Sequence, residues 1–394
     1  MINITRKENC CGCGACYDAC TNQAIIWETD NEGFSYPRVD LDKCVDCGLC
    51  NRVCPIENSE TLNARNRDAD PIVLGAYHKD DNVRFSSTSG GAFWGLAESW
   101  LKNGGYVAGA IFYDHFKIRH IVTNNLEELQ KIKGSKYAQS DCRGMYRDIA
   151  QLLKAGKKVM ATGVPCQMAA LRQFLRKDYE NLLVVDLICH SVTSQLPFQL
   201  YIKELEKEYH SEVVSFHPKS KEDGGWHRFA FKATFSNGKT YLKHAGEDNF
   251  CVLSYGTNLL SRYSCYECHY KHFPQPSDIT IGDFWGIESV DPSWDSPLGL
   301  SKIVLNTEKG VRYIESLNSM ETKLYSAETS VFKNSRSMSM LNSVSRCDMD
   351  KRIAFVRDLN EKGLDYSMHK HVYKKKNIIK RILNRIKNVA RFNK

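Results

Sequence analysis

The sequence predicts a small cysteine-rich α+β domain, followed by a larger α/β body with a mixed, partly parallel sheet. Nine of the sixteen cysteines lie within residues 10–54, which sets the N-terminal region apart. From residue 72 onward, apolar and β-branched segments alternate with helix-like segments, a pattern typical of α/β proteins. With 394 residues, of which 42% are hydrophobic, the chain is long enough for several domains and a sizeable core.

Two segments of the N-terminal region repeat the spacing Cys-x2-Cys-x2-Cys-x3-Cys. The second repeat ends in Pro55, whereas the first has Thr21 at the matching position. In the bacterial ferredoxin pattern, three closely spaced thiolates bind one cube and the fourth cysteine binds the other. Residues 1–55 are therefore predicted to form a bacterial-type ferredoxin domain with two [4Fe–4S] clusters.

Crossed ligation divides the eight motif cysteines into two sets of four. One cluster takes Cys10, Cys13, Cys16 and Cys54, and the other takes Cys20, Cys44, Cys47 and Cys50. A pair of zinc sites is the alternative, since four cysteines also bind zinc, but it leaves the repeated spacing unexplained. Cys11 is left over and is interpreted as a spare thiol beside the cluster rather than as a ligand.

The body follows a polar, non-periodic stretch, 56–71, which we interpret as a linker. Strands are predicted at IVLGAY (72–77), YVAGAIF (106–112), KKVMAT (157–162) and NLLVVDLI (181–188). Helices are predicted at AFWGLAESWLK (92–102) and MAALRQFLRK (168–177). Because α/β sheets usually bind ligands at the strand ends, the loops after these strands are the first place to look for a site.

Two of these loops carry residues suited to an anionic cofactor. The segment 86–91, SSTSGG, precedes a predicted helix and offers hydroxyls and backbone N–H groups to a phosphate. A simple helix cap explains the same residues equally well. The segment 134–137, GSKY, offers a hydroxyl, a cation and an aromatic face together. No GxGxxG fingerprint is present, so a standard Rossmann dinucleotide site has no support.

Four further cysteines form a second set in the body. Cys166 and Cys189 follow successive predicted strands, and Cys265 and Cys268 form a C-x2-C pair. These four could close around a third [4Fe–4S] cube. Alternatively, Cys166 and Cys189 are small buried hydrophobic residues and the pair is incidental, and the spacing alone leaves both interpretations open.

The body also resembles the family of coenzyme F420 hydrogenase/dehydrogenase beta subunits over roughly residues 72–310. The matching segments are SSTSGGAF, GSKYAQS, TGVPCQMAAL, the ICHS turn, SCYECHYK, DITIGDFWG and GLSKIVLNTEKG, in that order. With the ferredoxin domain in front, the layout is similar to the electron-input subunit of F420H2 dehydrogenases. The resemblance implies a flavin-binding α/β body with FAD, and it favours a third cluster on Cys166, Cys189, Cys265 and Cys268.

The resemblance also suggests which residues hold the flavin. Ser89, Gly90 and Gly91 would face its phosphates. The rest of the flavin site would be lined by Ser135, Lys136, Tyr137, Gln139, Thr162 and Gly163. Asp283 is either a polar contact near the redox groups or a turn-forming residue.

Lys136 and His190 are the candidate catalytic residues. Lys136 would stabilise negative charge on reduced flavin, and His190 would donate a proton beside it; a surface lysine and a structural histidine are the alternatives. The resemblance implies an iron–sulfur flavoprotein oxidoreductase that exchanges electrons with ferredoxin or an F420-like cofactor. A non-catalytic relay subunit and a docking scaffold without flavin are the alternative functions, and the sequence does not identify the substrate.

The C-terminal region is expected to be mostly helical over residues 311–371. The segment 372–394 holds nine Lys or Arg residues and no Asp or Glu, so the net charge of +8 is a local feature of this tail. Its spacing predicts a basic amphipathic helix suited to an anionic membrane surface, with a partner protein or a solvated helix as alternatives. No nucleic-acid-binding module is recognised, and without a signal peptide or membrane span we expect a cytoplasmic protein with peripheral membrane contact.

Overall fold

A computed structural model describes residues 1–66, 72–332 and 341–373. It confirms the predicted fold class, a ferredoxin-like module followed by an α/β body with a mixed sheet. Within the described residues, no helix combines the length and the apolar character needed to cross a bilayer.

The N-terminal module consists of one antiparallel hairpin and three short helices. Its elements are β1 (Ile25–Thr29), β2 (Ser35–Val39), α1 (Ala15–Ala19), α2 (Leu49–Arg52) and α3 (Ser59–Ala64). Helices α1 and α2 each follow a glycine in the left-handed region, Gly14 with φ 81° and Gly48 with φ 72°. Each glycine follows the second cysteine of its motif, so both halves of the repeat make the same turn. A side chain with a Cβ would be strained there.

The body contains an eight-stranded mixed sheet. Its strands are β3 (Ile72–His78), β4 (Tyr106–Tyr113), β5 (Lys117–Thr123), β6 (Val159–Gly163), β7 (Leu182–Leu187), β11 (Ile279–Asp283), β12 (Ser301–Leu305) and β13 (Met320–Tyr325). The order across the sheet is β13-β3-β12-β11-β7-β6-β4-β5. The central strands β11, β7, β6 and β4 are parallel, and antiparallel pairs complete both edges.

The central strands β6 and β7 are covered on both faces of the sheet. All residues of β6 are buried, and only Leu187 of β7 is exposed. Continuous apolar strands of this kind are typical of parallel sheets with helices on both sides.

The helices of the body are α4 (Asp81–Phe85), α5 (Ala92–Lys102), α6 (Leu126–Ile132), α7 (Met145–Lys154), α8 (Pro165–Leu175), α9 (Gln195–Tyr209), α10 (Asn249–Cys251), α11 (Tyr263–Tyr266), α12 (Ile287–Val290), α13 (Glu308–Glu315), α14 (Met349–Lys362) and α15 (Leu364–Ser367).

A second, three-stranded antiparallel sheet has its own core. Its strands are β8 (Val213–Ser220), β9 (Ala230–Phe235) and β10 (Thr240–His244). Aromatic residues from this sheet and from α9, including Phe198, Phe216 and Phe231, pack with Phe355 of α14. This second core therefore joins the middle of the chain to its C-terminal helices.

The ferredoxin-like module is fixed to the body by buried polar contacts. Glu32 in the β1–β2 turn accepts hydrogen bonds from Arg352 of α14, at 2.9 Å to Nε and 2.5 Å to Nη2. Arg352 is 0% and Glu32 5% exposed. Asp18 accepts from the backbone N–H groups of Gly144 and Tyr146 at the start of α7, where a negative charge is favoured. The module is thus anchored at two distant points of the chain.

The structure corrects one secondary-structure prediction. The described part of residues 311–371 is mostly helical, as expected, but it also contains β13, an edge strand antiparallel to β3 that was not predicted. The strand was missed because Glu321 and Lys323, like most of its residues, are exposed, which leaves almost no apolar periodicity to recognise.

Two other predicted segments are only partly described. In the expected linker, α3 packs Leu62 against Ala169 and Tyr270, while residues 67–71 lie outside the described residues. The expected basic tail, 372–394, lies outside the described residues from 374 onward.

We expect Glu32→Gln to weaken the attachment of the module, because it leaves the Arg352 guanidinium buried without a counter-charge. Breaking a buried ion pair by removing one partner costs about 3–5 kcal/mol. Chemical denaturation followed by the absorbance of the clusters should show this loss of stability. The matched control is Glu28→Gln on the same hairpin, whose pair with Arg38 is more than half exposed on both sides and should cost no more than about 1 kcal/mol. Equal effects of both variants would contradict the anchoring role.

Candidate functional site

The structure gathers the motif cysteines into an inner and an outer set. Four are buried, namely Cys10, Cys13, Cys16 and Cys54. Of the other four, Cys20, Cys44 and Cys50 are half-buried and Cys47 is exposed. Cys54, which comes from the second motif, lies beside the cysteines of the first, since Cys16 and Cys54 belong to one buried cluster. This is the neighbourhood that crossed ligation requires.

Backbone N–H groups point at the sulfur atoms of the outer set. The Ile2 N–H donates to Cys50 Sγ at 3.1 Å, and the Ala24 N–H donates to Cys20 Sγ at 3.2 Å. Such hydrogen bonds stabilise thiolate ligands and tune cluster potentials. In the inner set, burial and the neighbouring thiols Cys10 and Cys54 raise the pKa of Cys16 well above its usual range. Metal binding must therefore displace protons from the inner thiols.

The second cysteine set lines a small cavity at the carboxyl ends of β6 and β7. Cys166 lies in the first turn of α8, directly after β6, and Cys189 follows β7. Cys265 and Cys268 come from α11 and the turn after it, and all four line the same cavity. Register places Gly163 of β6 opposite Asp186 of β7, so the parallel pairing itself brings the two strand-end cysteines together.

Cys11 lies between the two groups of cysteines. It lines the cavity of the second set and packs in one cluster with Cys13 and Cys166. Sequence reasoning treated Cys11 as a spare thiol, because nothing in the local spacing shows that the body folds against the first motif.

A larger cavity of about 430 Å³ adjoins the cysteine cavity. Seven residues line both cavities: Val164, Leu187, Ile188, Cys189, His190, Ser191 and Val192. Of the residues expected to bind flavin, the following line the larger cavity: Ser89, Gly91, Ser135, Lys136, Tyr137, Gln139, Thr162 and Gly163. The structure therefore brings these predicted residues together around one space that reaches the second cysteine set.

Gly90 does not line the cavity. Its carbonyl accepts from the His78 N–H at 2.8 Å. An added Cβ would lie only 2.5 Å from the Ala76 carbonyl and 2.6 Å from the Ser301 N–H. Gly90 thus lets the loop press against the sheet, while Ser89 and Gly91 on either side face the cavity.

The ammonium group of Lys136 is held by carbonyl groups of its own chain at the wall of the larger cavity. Its Nζ donates to four carbonyl oxygens at the end of α6, those of Lys131, Ile132, Lys133 and Gly134, at 2.8 to 3.2 Å. These bonds cap the helix. Burial lowers the pKa of Lys136 to about 7. Lys136 therefore fixes the 134–137 loop at the wall of the larger cavity, and its role in stabilising flavin charge stays a prediction.

His190 lines both cavities at the point where they meet. Its Nε2 lies 3.0 Å from Asn258 Oδ1, and its ring stacks on Tyr255 with centroids 6.0 Å apart. Burial lowers the pKa of His190 below its usual value, so the imidazole is neutral at pH 7. With the amide oxygen accepting from Nε2–H, Nδ1 is the ring atom that can accept a proton.

Asp283 takes part in a buried charge pair at the cavity wall. It accepts from Lys219 Nζ, and from Trp226 Nε1 at 2.8 Å. Burial by itself would lower the pKa of Lys219, but the Asp283 carboxylate outweighs it and raises that pKa. Asp283 is thus a polar residue at the cavity and more than a turn former. Lys219 was missed, because only the tertiary fold brings β8 next to β11.

Gln139 links the larger cavity to the first cysteine motif. Its Nε2 donates to the Cys11 carbonyl at 2.8 Å and to the Gly12 carbonyl at 3.3 Å. Its Oε1 accepts from Arg262 Nη1 at 2.9 Å. One side chain therefore touches the cavity and the inner cysteine loop at once.

Comparisons with known proteins agree with this arrangement. Residues 156–330 match the family described as the C terminus of the coenzyme F420 hydrogenase/dehydrogenase beta subunit, and residues 9–58 match the 4Fe-4S dicluster domain. The dicluster match supports two [4Fe–4S] clusters and removes the zinc alternative. The chain is therefore an iron–sulfur electron-transfer protein related to the F420 hydrogenase/dehydrogenase beta family.

The similarity extends to individual proteins. The F subunit of the F(420)H(2) dehydrogenase of Methanosarcina mazei is 21% identical over 335 residues, which is 80% of this chain and 84% of that protein. The coenzyme F420-dependent sulfite reductase of Methanocaldococcus jannaschii is 27% identical over 44% of this chain, and the match spans only 26% of that protein. A chain of the F420-reducing [NiFe] hydrogenase complex from Methanosarcina barkeri aligns with a TM-score of 0.46 and 16% identity, over 77% of this chain and 95% of that one.

We expect Gly90→Ala to destabilise the protein, because its Cβ would press on backbone atoms of β3 and β12 that cannot move aside. Overpacking of this kind costs about 1–3 kcal/mol. Thermal unfolding of the purified protein should show a clear fall in Tm. Gly246→Ala is the control, since a Cβ there meets nothing within 4 Å and should change stability by no more than about 0.5 kcal/mol. An unchanged Tm for Gly90→Ala would refute the close approach of this loop to the sheet.

Proposed function

We propose that this iron–sulfur relative of the coenzyme F420 hydrogenase/dehydrogenase beta subunits is a flavin-dependent oxidoreductase subunit. In this proposal FAD occupies the larger cavity and a third [4Fe–4S] cluster occupies the second cysteine set. The observation that carries it is that the larger cavity, the cysteine cavity and the ferredoxin domain adjoin one another. The two cavities share seven lining residues, and Cys11 lies between the cysteine cavity and the inner cysteines of the ferredoxin domain.

The larger cavity fits a flavin in size and in chemistry. Its volume lies within the range of about 300–1,000 Å³ typical of cofactor sites. Lys133 gives it a cationic group suited to a phosphate, whereas the charge of Lys219 is balanced by Asp283. Tyr137, Tyr255 and Trp285 give it aromatic faces. Tyr137 is held in place by stacking on Phe231, with centroids 5.8 Å apart. FAD, when bound, exchanges hydride with an organic reactant and single electrons with iron–sulfur clusters.

The chain's own residues prepare this cavity in three ways. Lys136 and Gln139 hold the 134–139 loop, one through the end of α6 and the other through the cysteine loop. The Lys219–Asp283 pair supplies buried charge at the wall. We propose His190, neutral and accepting at Nδ1, as the group that exchanges a proton beside the flavin; this role is catalytic only if the imidazole touches the reacting atoms.

The second cysteine set fits an iron–sulfur cube by its donors. Four thiols from two strand ends and one C-x2-C pair surround one cavity, and soft sulfur ligands select iron–sulfur clusters or zinc. Lys271 Nζ donates to the carbonyls of Cys189 and His190, which fixes the strand end that carries one ligand. We therefore propose Cys166, Cys189, Cys265 and Cys268 as ligands of the third cluster.

The electron partner is proposed from the relatives. Two of them bear F420 in their names, and one is named as a subunit of a dehydrogenase. We propose that the flavin exchanges electrons with an F420-like cofactor or an organic substrate, and that the exposed Cys47 end of the ferredoxin domain serves an electron-carrier protein. The alternative, a relay subunit without its own flavin, keeps the clusters but needs another chain for catalysis.

The first test is the flavin content of anaerobically purified, cluster-loaded protein. We expect about one FAD per chain, released on denaturation, because one cavity of suitable size adjoins the clusters. Ser135→Trp, which fills the cavity, should lower the FAD content several-fold at unchanged iron content. The exposed Ser289→Trp is the control and should retain the flavin. Folded protein that contains no FAD and takes none up would contradict the proposal and favour the relay subunit.

The second test counts iron. Since each cube holds four iron atoms, we expect about 12 per chain, against about 8 if only the ferredoxin domain is loaded. Cys265→Ser should lower the count by about four and remove one cluster signal. Cys347→Ser is the control, because this thiol lies outside the lining of the cysteine cavity and is bonded to the Leu259 carbonyl and the Tyr266 hydroxyl. If both variants retain the iron content of the native protein, the third cluster is not there.

A further inference from the structure

Arg262 is a buried guanidinium that the function described so far does not use. It lies between the ferredoxin domain and the body, directly before α11, and is 1% exposed. Its Nε donates to the Cys10 carbonyl at 2.7 Å, and its Nη2 approaches Cys10 Sγ at 3.4 Å. The remaining bonds go to the Ser35 carbonyl and to Gln139 Oε1, both at 2.9 Å.

The surroundings of Arg262 leave its charge without a carboxylate partner in the described part of the chain. Its hydrogen-bond acceptors are neutral oxygen atoms and the sulfur of Cys10. The rings of Phe34 and Tyr36 cover the guanidinium, at 5.4 Å and 4.5 Å from Cζ. Burying a charge is costly unless an opposite charge compensates it. The negative charge that meets this requirement is that of the cluster bound by Cys10.

The cysteine loop is shaped to admit the guanidinium. Gly12 has φ +69°, and an added Cβ would lie 2.6 Å from Cζ and Nη1 of Arg262. Gln139 donates to the carbonyls of Cys11 and Gly12 while accepting from Arg262, so it holds the loop and the guanidinium together. The missing side chain at Gly12 and the double contact of Gln139 are both explained by close approach of Arg262 to the inner cluster.

We propose that Arg262 raises the reduction potential of the inner [4Fe–4S] cluster, the one held by Cys10, Cys13, Cys16 and Cys54. Adding one electron makes the cluster more negative, and a buried positive charge beside its ligand stabilises the reduced form more than the oxidised form. The inner cluster is thereby favoured as the one-electron acceptor of the ferredoxin domain. Arg262 acts through Cys10 and is a positioning and tuning residue. The inference rests on the dicluster domain alone and does not require the flavin.

The test is a redox titration of the full, cluster-loaded chain, with dithionite as reductant and mediators, followed by electron paramagnetic resonance. Arg262→Gln removes the charge but keeps a hydrogen-bond donor. We expect one cluster wave to move to lower potential by at least a tenfold change in its reduction equilibrium, which is about 59 mV for a one-electron couple. Arg262→Lys, which keeps the charge, should leave this wave close to its potential in the native protein. An Arg262→Gln protein with full iron content and unmoved waves would overturn the proposal.

The matched control is the double variant Glu32→Gln/Arg352→Gln. It removes another buried guanidinium from the same domain interface, leaves no unpaired charge, and touches no cluster cysteine. We expect its waves to stay in place; a shift of the same wave by the same amount would show that domain contact, not the Arg262 charge, sets the potential. If Arg262→Gln does not fold, Gln139→Glu provides the second measurement. Its carboxylate would neutralise Arg262 and should lower the same wave, and an unmoved wave there would also refute the proposal.

Discussion

The parallel pairing of β6 with β7 is the constraint on which the arrangement of the two cavities depends. It brings two strand ends to the same edge of the sheet, and these ends carry Cys166 on one side and Cys189 with His190 on the other. Both cavities share these strand ends as a wall. The buried apolar strands that hold the sheet together therefore also fix where the larger cavity lies relative to the cysteines.

Buried charged residues also attach the ferredoxin domain to the body, because each of them links segments that are far apart in the chain. Arg352 reaches Glu32, Arg262 reaches Cys10, and Asp18 binds the first N–H groups of α7. Such hydrogen-bonded charges restrict how the ferredoxin domain can pack against the body, since an unpaired buried charge is expensive.

The sequence predicted what depends on local spacing or on strand ends. The Cys-x2-Cys-x2-Cys repeat, the central strands β4, β6 and β7 and the loops around Ser89 and Gly163 were recognised because each signal is contained in a short stretch of chain. The orientation of Lys136, the packing role of Gly90 and the bridging position of Cys11 depend on contacts between remote segments. Arg262 was not singled out at all, because an arginine before a short helix has no distinctive pattern. Edge strand β13 was missed because its exposed, charged residues carry no apolar signal.

The unequal exposure of the two ferredoxin cysteine sets affects the order in which oxidants damage the two clusters. The thiols of the inner set are 8% exposed or less, whereas Cys47 of the outer set is open to solvent. Oxidants attack thiolates in the order in which they can reach them. We therefore expect oxidative damage to begin at the outer cluster, while the inner cluster is still intact.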